Sequence, residues 1–89
     1  MILKVDKAFE KDLKDIQDLK LRRKVASVME SIINAERLKD LKQSKKLRGG
    51  DIYYIIKIQE YRIGFVFENK VITLVRFLHR KDIYRYFPK

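Results

Sequence analysis

The chain has 89 residues, of which 46% are apolar, and a formal net charge of +10, which predicts one domain over residues 1–89. It contains no cysteine, which excludes disulfides and thiolate chemistry and favours a reduced, cytoplasmic setting. The longest apolar run covers residues 52–56, and charged sequence follows the first three residues directly, so we expect neither a membrane-spanning helix nor a signal peptide.

The N-terminal half predicts one short strand and two helices. Residues 2–5 suit an edge strand, and Asp6 can cap a first helix. The apolar stripe of that helix consists of Phe9, Leu13 and Ile16. A second helix follows from apolar residues at the i, i+3, i+4, i+7 spacing: Val25, Val28, Met29, Ile32 and Ile33. We expect an antiparallel pair joined near residues 18–21, with both stripes facing the core.

The C-terminal half predicts a β-meander. Residues 37–48 are interpreted as a connection with one extra turn, and the two glycines at 49–50 open the strands at about 52–58, 61–67 and 71–78. A two-residue turn at residues 59–60 places Lys57 opposite Arg62. A three-residue turn at 68–70, with Asn69 left-handed, then places Arg62 opposite Arg76.

These positions predict an anion site on one face of the sheet. Like charges directly opposite each other destabilise a sheet, and a phosphate bound among Lys57, Arg62 and Arg76 would offset that repulsion. The apolar face is predicted to carry alternate residues of the three strands: Ile52, Tyr54, Ile56, Ile58, Tyr61, Ile63, Phe65, Phe67, Val71, Val75 and Phe77. Only the two helices can cover it, which predicts an α+β fold with a four-stranded, mostly antiparallel sheet in the order β-α-α-β-β-β.

The opposite face is expected to be open, cationic at one end and apolar at the other, with Ile72, Leu74 and Leu78 among its apolar residues. Residues 79–88 mix basic and aromatic side chains, a composition typical of RNA binding, and Asp82 can cap a short terminal helix or turn. Some of these aromatic rings should anchor the tail, while at least one faces the cationic surface.

The positive charge is concentrated in the C-terminal half. Residues 1–44 carry 11 basic and 8 acidic residues, whereas residues 45–89 carry 11 basic and 4 acidic residues. This distribution indicates a polyanionic partner, with nucleic acid ahead of a membrane surface or an acidic protein segment. The same excess of basic residues would also result if the lysines served only to keep the protein soluble.

Three sequence segments resemble the RelE/ParE superfamily of toxin–antitoxin toxins, and the RelE branch in particular. They are Lys46-Leu47-Arg48-Gly49, Tyr61-Arg62-Ile63-Gly64-Phe65 and His79-Arg80-Lys81-Asp82-Ile83-Tyr84. The resemblance implies a ribosome-dependent endoribonuclease that cleaves mRNA in the ribosomal A site, with no metal or cofactor. It also implies a RelB-like antitoxin as partner, operator DNA bound only through that antitoxin, contact with rRNA and mRNA, and no membrane partner.

The resemblance further implies roles for individual residues. Arg62 would stabilise the pentacoordinate phosphate, Arg80 would lie near the leaving oxygen, and Tyr84 would stack on or orient the attacked nucleotide. Lys57 matches a basic strand position that holds the phosphate or activates the hydroxyl. Further basic and aromatic residues are assigned to RNA binding: Lys45, Lys46, Arg48, Lys81, Arg85 and Tyr86. Arg76 has no match in the family and is added to them on the predicted geometry alone.

The proton-transfer groups are left open by the sequence. His79 is the only histidine and a natural general acid or base, although its odd position on the last strand can direct it to the helix-covered side. Glu60, in a turn, is expected to serve surface solvation. Two other functions fit the same fold: a ParE-like toxin of DNA gyrase without a nuclease site, and a degenerate member that binds only antitoxin or RNA.

Overall fold

The computed structural model describes residues 1–88, in which a five-stranded sheet carries two N-terminal helices on one face and a short helix on the other. The elements are β1 (Ile2–Val5), α1 (Lys7–Lys14), α2 (Leu19–Asn34), a 3₁₀ turn (Leu38–Asp40), β2 (Ser44–Lys46), β3 (Tyr53–Ile58), β4 (Tyr61–Glu68), β5 (Val71–His79) and α3 (Ile83–Tyr86). The strand order is β1-β5-β4-β3-β2, with β1 parallel to β5 and all other pairs antiparallel. No helix of this part of the chain is long and apolar enough to cross a membrane.

The predicted α+β layering is present, but the prediction of four strands is wrong. The fifth strand, β2, lies in the segment that the sequence assigns to a connection, and it pairs only with β3. Because β2 is a three-residue edge strand with both lysines exposed, it lacks the alternation of apolar and polar residues by which strands are recognised. The 3₁₀ turn supplies the extra turn expected in that connection.

The helices follow the predicted periodicity closely. Asp18 caps the N-terminus of α2, and its carboxylate accepts hydrogen bonds from the backbone N–H groups of Lys20 and Leu21 at 2.9 Å and 3.3 Å. Asp6 precedes α1 in the predicted position, but its side chain makes no capping bond. Ile33 is 56% exposed and was wrongly placed in the core stripe, which instead extends one turn earlier to Leu21, 3% exposed.

The β3–β4 hairpin has the predicted register, with Lys57 paired to Arg62. Its apolar face packs against α1 and α2, where Phe9, Val25 and Ile32 are fully buried. The strand residues buried there include Ile56, Ile58, Ile63 and Phe65. Because the helices cover this face of the β3–β4 hairpin, only its opposite face can bind a ligand.

The predicted register between β4 and β5 is wrong for two reasons. Asn69 and Lys70 both have positive φ, +53° and +63°, so the turn has two residues rather than three. A β-bulge then shifts the pairing, because Gly64 pairs with Arg76 while Phe65 pairs with Leu74. As a result Arg62 lies opposite Leu78 and not opposite Arg76.

The two-residue turn exchanges the two faces of β5 between the turn and the bulge, and the bulge restores the predicted face beyond it, where Phe77 is in the core as predicted. Ile72 and Leu74, predicted for the open face, are fully buried in the helix-covered core. Val75, predicted for that core, packs in a second cluster on the other face. This second cluster consists of Ile55, Ile83 and Phe87 with their neighbours, so α3 covers much of the face that was expected to be open.

Candidate functional site

Most of the predicted cations meet in a groove on the sheet face that carries α3. The groove encloses about 380 Å³. Ile55 forms part of its wall, and the other lining residues are Lys45, Lys57, Arg62, Arg80, Lys81 and Tyr84. No carboxylate is among them, and this cationic groove carries five basic side chains and one phenol.

Lys57 and Arg62 form the centre of the cationic groove. Nη1 of Arg62 donates to the backbone carbonyls of Gln59 and Tyr61, at 2.9 Å and 2.8 Å, which holds the guanidinium beside the hairpin turn. Both bonds use Nη1, so Nε and Nη2 remain to bind an anion. Within residues 1–88 neither Lys57 nor Arg62 forms an ion pair with a carboxylate. A phosphate between them would form charge-assisted hydrogen bonds and offset their mutual repulsion.

Arg80 is held at the edge of the cationic groove by the hairpin turn. Its backbone N–H donates to the carbonyl of Glu60 at 2.8 Å, and its Nε pairs with the Glu60 carboxylate at 2.6 Å. Both side chains are more than half exposed, so this pair is screened by water and contributes little to stability. The expectation that Glu60 serves only surface solvation is therefore wrong.

Tyr84 reaches the cationic groove because α3 is anchored on both sides of it. Ile83 and Phe87 are buried, whereas Tyr84 is 60% exposed. Phe87 lies directly over Gly64, where an added Cβ would come within 2.6 Å of its ring. Only glycine at this position of β4 allows so close an approach, so the sequence combination of Gly64 and Phe87 sets the position of Tyr84.

His79 lies outside the cationic groove. It is paired with Tyr61 on the last step of the β4–β5 ladder, and the two rings pack edge to face at 5.5 Å on the helix-covered side. Its Nδ1 accepts a hydrogen bond from the backbone N–H of Lys81 at 3.2 Å. The alternation along β5 thus turns His79 away from Arg62, so the structure does not place it with the other predicted catalytic residues.

Arg76 is also separated from the cationic groove. Its guanidinium pairs with Asp12 of α1 at 2.7 Å and lies 5.3 Å from the centre of the Tyr86 ring. The hydrogen bond to Asp12 is the main cause that raises the pKa of Arg76. The predicted alignment of Lys57, Arg62 and Arg76 is therefore corrected to a pair, because the shorter turn and the bulge together move Arg76 along the strand and Asp12 neutralises it.

The other residues assigned to RNA binding lie in three places. Lys45 and Lys81 line the cationic groove itself. Lys46 and Arg48 line a neighbouring cavity of about 460 Å³, which shares Lys45 and Tyr84 with the groove. Arg85 and Tyr86, on α3, line neither cavity.

Sequence reasoning missed two residues of this region and had no means to find them. Asp12 is one of two acidic residues on α1, and its role follows from the edge of β5 that the short β1 leaves uncovered. The function of Glu60 depends on the return of the chain after β5, which no local pattern reveals. Among residues 1–88 no three His, Asp or Glu side chains are grouped so that they could hold a metal ion.

Comparison with known proteins gives consistent matches over nearly the whole chain. A family model described as the ParE toxin of type II toxin–antitoxin system, parDE, matches residues 3–84. Toxin RelE3 of Methanocaldococcus jannaschii is 41% identical over 83 residues, which are 92% of this chain and 93% of that protein.

Solved structures agree with these sequence matches. The RelB-RelE antitoxin-toxin complex from Methanococcus jannaschii matches with a TM-score of 0.80 and 38% identity, covering 96% of this chain and 99% of the other. The archaeal RelE-RelB complex from Pyrococcus horikoshii OT3 matches with a TM-score of 0.71 over 92% and 97% of the two chains. At 21% identity, this second match shows a common fold alone.

Proposed function

The chain belongs to the RelE/ParE superfamily of toxins from type II toxin–antitoxin systems, and on this basis we propose that it is a ribosome-dependent endoribonuclease. Its substrate is mRNA in the ribosomal A site. The observation that carries the proposal is the cationic groove, in which Lys57 and Arg62 face each other without a carboxylate and Tyr84 lies beside them.

The proposed reaction is an intramolecular transesterification. The ribose 2′-oxygen loses its proton to a base and attacks the adjacent phosphorus, while the bond from phosphorus to the 5′-oxygen breaks. The leaving 5′-oxygen takes up a proton, so the products are a 2′,3′-cyclic phosphate and a 5′-hydroxyl. Negative charge increases on the non-bridging oxygens in the transition state, and this is the charge that the protein must stabilise.

Each residue of the cationic groove has a role in this reaction. Arg62 and Lys57 hold the scissile phosphate and stabilise its added charge, since preplaced cations need no rearrangement during the reaction. Arg80 leaves Glu60 to bind the phosphate near the leaving oxygen. Tyr84 stacks on a base of the substrate, as exposed aromatic residues do in single-stranded RNA binding. Lys45 and Lys81 bind the flanking backbone.

The same residues are available for proton transfer, because the cationic groove contains neither a carboxylate nor an imidazole. His79 has no part in the proposed reaction, since it lies on the other face of the sheet. Base and acid are therefore drawn from lysine, arginine and the phenol of Tyr84.

A RelB-like antitoxin is the proposed partner in the cell. The two solved structures described above are complexes of RelB and RelE, and the matching chain of one is 38% identical to this chain. An antitoxin with an acidic segment would neutralise part of the +10 charge and cover the cationic groove. Operator DNA is then bound by the antitoxin, and the toxin only accompanies it.

A second candidate function is inhibition of DNA gyrase, which the match to the ParE family model favours. A translation reaction reconstituted with ribosomes and a defined mRNA distinguishes the two. We expect cleavage within ribosome-bound mRNA, with 2′,3′-cyclic phosphate ends and no cleavage of free mRNA. Intact mRNA together with gyrase-dependent DNA breakage would assign the chain to the gyrase toxins instead.

A further inference from the structure

A second basic site lies beside the cationic groove. It is a cleft of about 810 Å³ between α2 and the edge formed by β2 and the end of β3, here called the α2–β2 cleft. Four lysines line it, namely Lys24, Lys42, Lys45 and Lys57, and no Asp or Glu does so. Its volume lies within the range of functional ligand sites.

The α2–β2 cleft is continuous with the cationic groove. Lys45 of β2 and Lys57 of β3 line both cavities, so they form a common border. Beyond that border Lys24 and Lys42 extend the row of positive charge away from Arg62 and Tyr84. A polyanion that leaves the groove past Lys57 therefore enters the cleft without meeting a carboxylate.

The composition of the α2–β2 cleft fits a nucleic-acid strand better than a protein helix. Ser27 and Gln59 add hydroxyl and amide groups, which can bind ribose hydroxyls and base edges. Val28 and Ile58 are its only apolar residues, too few for the apolar stripe of a docked helix. We propose that the cleft binds the backbone of the RNA strand that flanks the scissile phosphate.

This inference rests on the proposed nuclease function and adds a second subsite to it. Exposed lysines along a groove bind successive phosphates and release counterions, and this contribution to affinity depends on length and salt. The cationic groove would hold the reacting nucleotides, while Lys24 and Lys42 would hold the strand beyond them. Lys24 and Lys42 line the cleft but not the cationic groove, which allows the subsite to be tested separately from the groove.

Binding of uncleavable RNA to the full chain is the test. We use 2′-O-methyl RNA of two lengths, a trinucleotide and a nonanucleotide, and measure fluorescence anisotropy over a range of salt concentrations. Wild type should bind the nonanucleotide more tightly. The variant Lys24→Gln/Lys42→Gln should bind it roughly tenfold more weakly, with a salt dependence reduced by about 1.4 in log–log slope, and should bind the trinucleotide as wild type does.

The matched control is Lys20→Gln/Lys39→Gln. It removes the same charge from α2 and the 3₁₀ turn, at exposed lysines that line no part of the cleft. Equal losses in both double variants would overturn the inference, because net charge alone would then explain them. Equal affinity of wild type for the two RNAs, or no binding of either, would overturn it as well.

Two further outcomes separate this inference from the proposed function. Cleavage of ribosome-bound mRNA by wild type tests the nuclease function independently, so its failure is distinguishable from failure of the cleft. If poly-glutamate binds through Lys24 and Lys42 while RNA length has no effect, the cleft belongs to an acidic protein and the inference is wrong.

Discussion

The carboxylate of Asp12 binds the guanidinium of Arg76 at 2.7 Å and 3.0 Å, and it also accepts the backbone N–H of Phe77 at 2.9 Å. β1 pairs with β5 only as far as Leu74, so the edge of β5 beyond that point lacks a strand partner. Asp12 therefore accepts hydrogen bonds from both the backbone of this strand edge and the Arg76 side chain, and these bonds connect α1 to β5. Since Arg76 also lies against Tyr86, the same contact supports α3.

We expect Asp12→Asn to destabilise the fold by about 2 kcal/mol, because it weakens a charge-assisted pair that is largely shielded from water. Urea unfolding followed by circular dichroism measures the loss. Asp15→Asn is the control, since Asp15 is exposed at the C-terminal end of α1 and should change stability little. A destabilisation equal to that of the control would show that the pair contributes nothing.

The contribution of Arg76 to stability should not depend on pH near neutrality. Asp12 raises the pKa of Arg76 above its already high ordinary value. A raised pKa in the folded state gives stability that is complete below the unfolded pKa and is lost only as pH rises through the folded one. Both values lie far above neutral pH, so from pH 6 to 9 the difference between wild type and Arg76→Gln should stay constant.

The sequence predicted one strand register correctly and the next one wrongly, and both outcomes have physical causes. The β3–β4 register was predicted correctly because a two-residue turn fixes it locally. The β4–β5 register was wrong because the turn at residues 69–70 is one residue shorter than predicted, and because a bulge leaves Val75 without a partner in the ladder, which no local sequence pattern indicates. Lys57 and Arg62 could thus be paired from sequence, whereas Arg76 could not be placed.

The same distinction applies to the site on α3. The tail rich in aromatic residues predicted that some rings anchor the tail and that at least one faces the cationic surface, and in the structure Phe87 is buried while Tyr84 lines the cationic groove. Glu60 and the α2–β2 cleft depend on how the ends of separate elements meet. Contacts between elements that are distant in the chain leave no local sequence pattern, so they become visible only in the structure.

Arg62→Ala should lower cleavage of ribosome-bound mRNA by about 10²- to 10³-fold, the usual effect of removing one donor to a charged transition state. Single-turnover cleavage measures it. The fold should persist, because the guanidinium bonds only to carbonyls of its own turn. Arg85→Ala removes an exposed charge from α3 outside the cationic groove and should cleave normally. Comparable losses in the two variants would remove Arg62 from the mechanism.

His79→Gln should keep most of the cleavage activity. Its ring packs on Tyr61 at the helix-covered side, so it cannot reach a phosphate bound between Lys57 and Arg62. General acid–base catalysis contributes roughly 10²- to 10⁴-fold, and a loss of that size in single-turnover cleavage would restore His79 as a catalytic residue. Some loss of thermal stability is expected from the altered packing.

Glu60→Gln should strengthen RNA binding with little effect on stability. The Glu60–Arg80 pair is exposed on both sides, so it contributes less than about 1 kcal/mol to folding. The carboxylate competes with a phosphate for Arg80, and its neutralisation frees the guanidinium and lowers local repulsion of RNA. Anisotropy with 2′-O-methyl RNA measures the gain, with Glu68→Gln at the far end of β4 as control. Weaker binding by Glu60→Gln than by this control would show that Glu60 orients Arg80 for binding.

Gly64→Ala should reduce cleavage through the position of α3. The added Cβ would come within 2.6 Å of the Phe87 ring, and overpacking of this kind costs about 1–3 kcal/mol. The four-residue α3 is anchored by Ile83 and Phe87, so displacement of the ring shifts Tyr84 from the cationic groove. We expect single-turnover cleavage to fall well below wild type under conditions where circular dichroism shows the variant still folded.

A double-mutant cycle tests whether the contact with Phe87 is the cause. Phe87→Leu shortens the side chain that meets the new methyl group, so Gly64→Ala should harm cleavage less in that background than in wild type. The free energies of unfolding should show coupling of the same sign, because the same clash is relieved. If the two substitutions are instead additive in both measurements, the close approach of Phe87 to Gly64 does not set the position of Tyr84.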